Sequence, residues 1–165
     1  MTDDAVLAEV IRSTLDDREI EFEEAQPGAF LCKLPGSHKL ATMTWLVIGE
    51  HSLHVEAFFV RKPDENHEAF YRWLLTRNSR LPGIAFALDQ VGDVYLVGRV
   101  PVEGVTTQTV DRLLGAVLSV ADSSFNELLT LGFLESMKRE WKWRVERGES
   151  TRNLEAFRSL LERAD

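Results

Sequence analysis

The sequence predicts an α+β domain: a five-stranded antiparallel sheet with helices on one face, in the order α-β-β-β-α-β-β-α, followed by a helical C-terminal extension. Three observations predict it. First, Ile84–Leu88 and Val94–Val97 are β-prone alternating runs joined by Asp89-Gln90-Val91-Gly92-Asp93, the signature of a hairpin. Pairing Leu88 with Val94 and Phe86 with Leu96 puts those four side chains on one face, because strand side chains alternate. Second, Val110, Leu113, Leu114, Val117, Leu118 and Ala121 recur at three- and four-residue spacing, a helix stripe that needs such a face to lie on. Third, the strands are linked by tight turns, with no internal repeat and no low-complexity linker, which favours an antiparallel sheet.

Taken in order, residues 3–16 read as a helix capped by Asp3 or Asp4, with Leu7, Val10, Ile11 and Leu15 buried. Ile20 to Leu34 reads as one strand-like passage interrupted at Pro27-Gly28 by a turn or bulge. Lys39 to Ile48 and Leu53 to Val60 are two further strands around a Gly49–Ser52 hairpin turn. Pro63-Asp64 closes the sheet segment and caps a helix whose inward stripe is Phe70, Tyr71, Leu74 and Leu75. The hairpin follows, and then a helix from Thr106 or Thr107. Ser123 or Ser124 is expected to cap a separate helix carrying Phe125, Leu128, Leu129, Phe133, Leu134 and Met137, stopped at Gly148. Asn153 to Arg163 forms a last short helix. Residues 1–135 are the α+β domain and 136–165 a helical extension of it.

Composition bounds the function. A chain of 165 residues, 44% apolar, can bury roughly 70% of its unfolded surface in one core. No apolar run reaches the ~20 residues of a membrane helix, and no leader is apparent. The single cysteine, Cys32, forms no internal disulfide and suits a reducing compartment, so a cytoplasmic location is expected. Residues 1–24 carry nine acids and two bases, close to the whole net charge of −8. Such a surface repels nucleic acid and anionic lipid, so neither is an expected partner.

Catalytic patterns fail one by one. There is no phosphate-binding glycine loop and no nucleophile elbow. His51, His54 and Glu56 lack a fourth metal donor, His38 and His67 read as solvated or capping residues, and Asp89 and Asp93 read as turn residues. Cys32 sits in an apolar strand with no nearby cationic cluster in sequence to lower its pKa, a structural thiol. No catalytic residue, metal or cofactor is expected. The run Lys138–Arg147 holds five bases and two tryptophans; it reads as a helix with Trp141 packed on the sheet and its bases facing water or the acidic amino end, contact with a nucleic acid or membrane being the alternative.

One physical tension remains. Ala85, Ala87, Tyr95 and Val97 lie on the sheet face away from the helices, joined by Met43 and Trp45, and a bare apolar face of that size exceeds what a monomer usually shows. Cover is therefore expected from the C-terminal helices, with Trp141 and Trp143, or from a second protomer or protein partner.

Phe70-Tyr71-Arg72-Trp73-Leu74-Leu75, Asn78 and Arg80, the strand Ile84–Leu88, Gly92-Asp93-Val94, and Pro101-Val102-Glu103-Gly104 before the Thr106 helix resemble the YbjN family over residues 3–135. The resemblance implies the fold of type III secretion chaperones, no assigned catalytic residue, and a role among regulators of bacterial sensory or stress responses; the related chaperones bind extended partner segments, often as dimers. The expected function is a non-catalytic protein-binding regulator or chaperone-like adaptor, with a homodimer as one expected form. The alternative is a small-molecule or enzymatic site in a cleft between the sheet and the C-terminal helices.

Overall fold

The computed structural model describes residues 3–162, and its antiparallel sheet has six strands where the sequence predicts five. The extra strand arises at Pro27-Gly28, which reverses the chain completely. Proline fixes the first corner of the turn and Gly28 takes φ +77°, so the chain doubles back with Phe22 opposite Cys32 and Glu24 opposite Phe30. The elements are α1 (Asp4–Asp17), β1 (Glu21–Gln26), β2 (Ala29–Pro35), β3 (Ala41–Ile48), β4 (Ser52–Val60), α2 (His67–Asn78), β5 (Ile84–Leu88), β6 (Val94–Pro101), α3 (Thr107–Glu146) and α4 (Arg158–Glu162), with 3-10 turns at Val102–Gly104 and Arg152–Phe157. The corrected order is therefore α-β-β-β-β-α-β-β-α, and the sheet runs β1-β2-β3-β4-β6-β5. Arg163, the last residue expected in the final helix, lies outside the described residues.

Alternation decides which strand residues enter the core. Phe30, Cys32 and Leu34 on β2, Leu46 on β3, Leu53, Val55 and Ala57 on β4, and Phe86 and Leu96 on the β5–β6 hairpin all point to the helices. The hairpin register is the expected one, Leu88 opposite Val94 and Phe86 opposite Leu96. A bulge between Phe58 and Val60 turns Phe58 outward while Phe59 and Val60 are both buried. Leu7, Ile11 and Leu15 of α1 and Val110, Leu113, Leu114, Val117 and Ala121 of α3 complete the core. Thr106 and Thr109 form a reciprocal capping box at the start of α3.

Helix α3 does not stop at residues 122–124. It continues for 40 residues, because its polar side chains there have tertiary work. Asp122 accepts hydrogen bonds from the His38 and Lys39 amides at 2.7 and 3.0 Å, fixing the β2–β3 loop, and Ser124 is buried.

The start of α2 also differs from expectation. Its N-cap is Asn66, in the left-handed region at φ 51°, and Leu75 is exposed while Phe70 and Leu74 are buried. The residues before it are stitched into the middle of α3. The Asp64 and Glu65 amides donate to the Gly132 carbonyl at 2.9 and 3.2 Å, the Asn66 side-chain Nδ2 donates to the Leu131 carbonyl at 2.8 Å, and the Glu65 carboxylate accepts from the Glu135 and Ser136 amides at 3.2 and 3.1 Å. A Cβ on Gly132 would stand 2.8 Å from two ring carbons of Phe70 and 3.0 Å from Pro63. Only glycine lets the loop and the Phe70 ring approach this closely.

Arg61 closes the stitch. Its guanidinium meets Asp64 through two bonds of 2.6 and 2.8 Å and lies 4.7 Å over the Phe133 ring, while the Ser136 hydroxyl donates to Asp64 at 2.6 Å. The Arg61 bonds, helped by Ser136 and opposed by partial burial, hold the Asp64 carboxyl down at about 2. A lowered carboxylate adds stability that is present above its unfolded value near ~4 and lost as pH falls through the folded value. Acid titration of wild type and Asp64→Asn should therefore show a stability gap that is full above about pH 4 and closes towards about pH 2; a gap that does not change with pH would remove this role from Asp64.

Asn78 secures the other edge. Its side-chain oxygen accepts from the Phe86 amide at 2.7 Å and its nitrogen donates to the Phe86 carbonyl at 3.0 Å. The outward groups of edge strand β5 are thereby occupied at their centre, which protects the edge from pairing with another chain. Asn78→Ala should cost about 1–3 kcal/mol, since it leaves both Phe86 groups without their partner. Denaturant unfolding measures this, together with faster exchange of the Phe86 amide.

Candidate functional site

The outer face of the sheet is built by the residues that alternate with the core. Register places Leu31 opposite Trp45, Trp45 opposite Glu56, Glu56 opposite Val97 and Val97 opposite Ala85, one continuous row across five strands. Beside it run Lys33 opposite Met43, and Phe58 opposite Tyr95 opposite Ala87; on the other side, Ala29 opposite Val47, His54 and Arg99. The six sheet residues expected on this surface, Met43, Trp45, Ala85, Ala87, Tyr95 and Val97, are thus on one face.

That face is bare. Met43 is 42% exposed, Phe58 40%, and Trp45 and Val47 36% each, although they occupy the two central strands β3 and β4 where a covered sheet would bury them. The C-terminal helices do not cover it: α3 packs on the opposite face through Val110 to Met137, and the tail folds back on α3, with the Phe157 ring 6.3 Å from Phe125 and Leu154 buried. Trp141 and Trp143 are accordingly not part of this surface. Trp141 lines a groove of about 450 Å³ with Lys138, Lys142, Arg158 and Leu161, between α3 and the tail and not against the sheet, and Trp143 is exposed beneath the Arg147 guanidinium at 4.8 Å. The expected packing of Trp141 on the sheet, and a cleft there walled by these tryptophans, are both corrected.

Leu31, Val47 and Phe58 were not singled out by the sequence, although parity with Met43 and Trp45 marks Val47 for the same face. Phe58 meets Tyr95 edge-on, centroids 5.5 Å apart at 81°. Partial burial, with the carboxylates of Asp89, Glu56 and Asp93, raises the Tyr95 hydroxyl above its ordinary value. Glu21, Glu23, Lys33, His54 and Arg99 stand around this face, and Glu56 places one carboxylate within it, between Trp45 and Val97. This arrangement offers an occupant apolar area and a few polar groups; among the described residues it pairs no nucleophile with a base.

The remaining candidates fall elsewhere. His51 is exposed at the β3–β4 turn, 3.8 Å from Glu50, and His54 lies on the sheet face. Among the described residues no three His, Cys, Asp or Glu side chains converge on a metal position. Cys32 is fully buried, its thiol 3.3 Å from the Thr44 carbonyl, and burial pushes it up to about 12. Asp89 accepts from the Val91 and Asp93 amides and Asp93 from Lys62, so both shape the β5–β6 turn. The basic run is locally balanced: Arg144 meets Glu140 at 2.8 Å, Lys142 meets Glu146 at 3.9 Å and Arg147 meets Glu149 at 3.7 Å. No helix among the described residues is long and apolar enough to cross a membrane.

Residues 7–130 match the model of the YbjN family, described as "Putative bacterial sensory transduction regulator". The chain is 51% identical over 156 residues to an uncharacterized protein of Mycobacterium tuberculosis, covering 92% of this chain and 85% of that one. It is 55% identical over 130 residues to an uncharacterized protein of Mycobacterium leprae, covering 79% and 71%. Among solved structures it is similar to a chain of the HopA1-SchA chaperone-effector complex, with TM-score 0.56 and 14% identity over 77% of this chain and 99% of that one. It is similar also to a chain of the ExsC-ExsE complex (TM-score 0.54, 16% identity, 78% and 97% covered) and to one of the heterodimeric ExoU-SpcU complex from the type III secretion system of Pseudomonas aeruginosa (0.52, 14%, 73% and 96%). At these identities the likeness is one of fold.

Proposed function

The chain belongs to the YbjN family, and from that premise we propose that it is a non-catalytic protein-binding regulator of adaptor type, holding an apolar segment of a partner protein on the outer face of its sheet. One observation carries this: Met43, Trp45, Val47 and Phe58 stand more than one-third exposed side by side on the two central strands. Apolar patches of this kind, rimmed by charge, mark interaction surfaces, and a buried aromatic surrounded by a polar rim is the usual anatomy of a binding hot spot. The fold shared with chains of chaperone-effector complexes supports a protein as the occupant. Residues 136–165 act in this scheme as an extension of the same domain, bound to it through Phe157 on Phe125. Its compartment is the cytoplasm, as the lone buried thiol suggests.

A photo-crosslinking amino acid at position 45 tests the surface, with position 143 as the comparison. The expected result is one heterologous adduct of discrete mass from position 45 and none from 143. Adducts from 143 alone would move the interface to the tail, and an adduct of twice the chain mass from 45 would make the occupant a second copy.

A further inference from the structure

A second concavity, unrelated to the sheet face, lies along the exposed side of α2. It is an open groove of about 830 Å³ walled by Ala69, Trp73, Thr76 and three arginines, Arg72, Arg77 and Arg80, with Glu68 beside Arg72 and Glu127 of α3 on the far side. Helical spacing explains the convergence: Trp73 and Arg77 are four apart, and Arg77 and Arg80 three apart across the turn that closes α2, so all three share one side.

The arginines are not equivalent. Arg72 is held by Glu68 at 2.8 Å. Arg77 and Arg80 make no ion pair with any described residue, and the Nε of Arg77 is buried with no acceptor among them. Two guanidinium groups that no described carboxylate pairs with can receive an oxyanion from outside the chain. Guanidinium groups match the paired oxygens of phosphate and carboxylate. Trp73 lines the same groove, half-buried with its ring 6.0 Å from Phe86, and offers a fixed apolar wall beside the two guanidinium groups.

We propose that this groove binds a small organic anion, its phosphate or carboxylate head on Arg77 and Arg80 and its apolar body against Trp73. Glu127 disfavours a second negative charge at the α3 side, so the ligand carries its charge at one end.

Thermal melting and calorimetric titration of the full chain test this with phenyl phosphate, phenylacetate and inorganic phosphate as probes. At least one aromatic anion at millimolar concentration should raise the melting temperature by a few degrees, more than inorganic phosphate does; whichever aromatic probe binds tighter names the head group. Arg77→Met keeps the side-chain stem and removes the donors, so affinity should fall at least tenfold. Arg80→Ala, at an exposed position that folding does not need, should weaken binding several-fold, and Arg112→Met, on α3 away from the groove, should not change it. No shift with either aromatic anion, or a shift retained in Arg77→Met and Arg80→Ala, overturns the proposal. A shift only with a glutamate-rich peptide also overturns it, assigning the groove to a protein segment.

Discussion

Gly132→Ala is expected to destabilise the protein by about 2–3 kcal/mol, near the upper end for a single added methyl group. The new carbon would enter within 2.8 Å of Cδ2 and Cε2 of Phe70 and 3.0 Å of Pro63. Neither neighbour can yield cheaply. Phe70 is fully buried and meets the Tyr71 and Phe133 rings edge-on at 5.9 and 6.3 Å, and Pro63 leads the loop whose amides cap the Gly132 carbonyl. Pushing either aside breaks the hydrogen bonds between residues 64–66 and α3, so the penalty includes lost polar pairing as well as overpacking. At this chain length the melting temperature should fall by roughly 5–10 °C. Gly115→Ala is the control: nothing lies within 4 Å of its added carbon, and in a helix it should be neutral or stabilising by up to about 1 kcal/mol. Equal responses at the two glycines would show that the stitch between loop and helix carries no special weight.

Trp45→Lys is expected to do the opposite, removing function while sparing the fold. Trp45 is central to the outer face, so losing its ring and placing a charge there should weaken the partner complex about 100-fold, the scale of an aromatic hot spot. Lysine suits the site better than aspartate because Glu56 lies directly across on β4, where a like charge would destabilise the sheet itself. Stability should change by less than about 1 kcal/mol, the span of strand preference at an exposed position. Val97→Lys, on the other side of Glu56, should behave in the same way. Titration of the isolated complex measures the affinity and denaturant unfolding the stability. Loss of both together would mean that the face supports the fold and not a partner.

Much of this surface was legible because strand parity is strict. The Phe86–Leu96 register followed from alternation alone, and it placed Ala85, Ala87, Tyr95 and Val97 outside together. Strand β1 was harder to see: within EFEEAQ only Phe22 is a large apolar residue, because an edge strand exposed on most sides needs no apolar pattern. The unbroken α3 is hidden at Asp122 and Ser124, whose polarity serves the β2–β3 loop and the interior and not a helix end. Leu75 belonged to the apparent inward stripe of α2, but α2 lies against β5 and α3 over a narrower arc than that stripe spans. Trp141 and Trp143 cannot be told in sequence from sheet-covering residues, because no periodic partner assigns them to another surface. The Glu65 stitch joins residues 70 positions apart, and the Arg77 groove reads in sequence as an ordinary charged helix face. Contacts of that kind exist only once the fold has formed.

Footprinting of exposed side chains by mass spectrometry, on the protein alone and on the complex recovered from its source cell, tests the central claim most directly. The outer-face account expects Met43, Trp45 and Phe58 to label strongly in the isolated chain and to be protected in the complex, with Trp143 labelled equally in both. Undiminished labelling of Met43, Trp45 and Phe58 in a complex that protects another surface would contradict it.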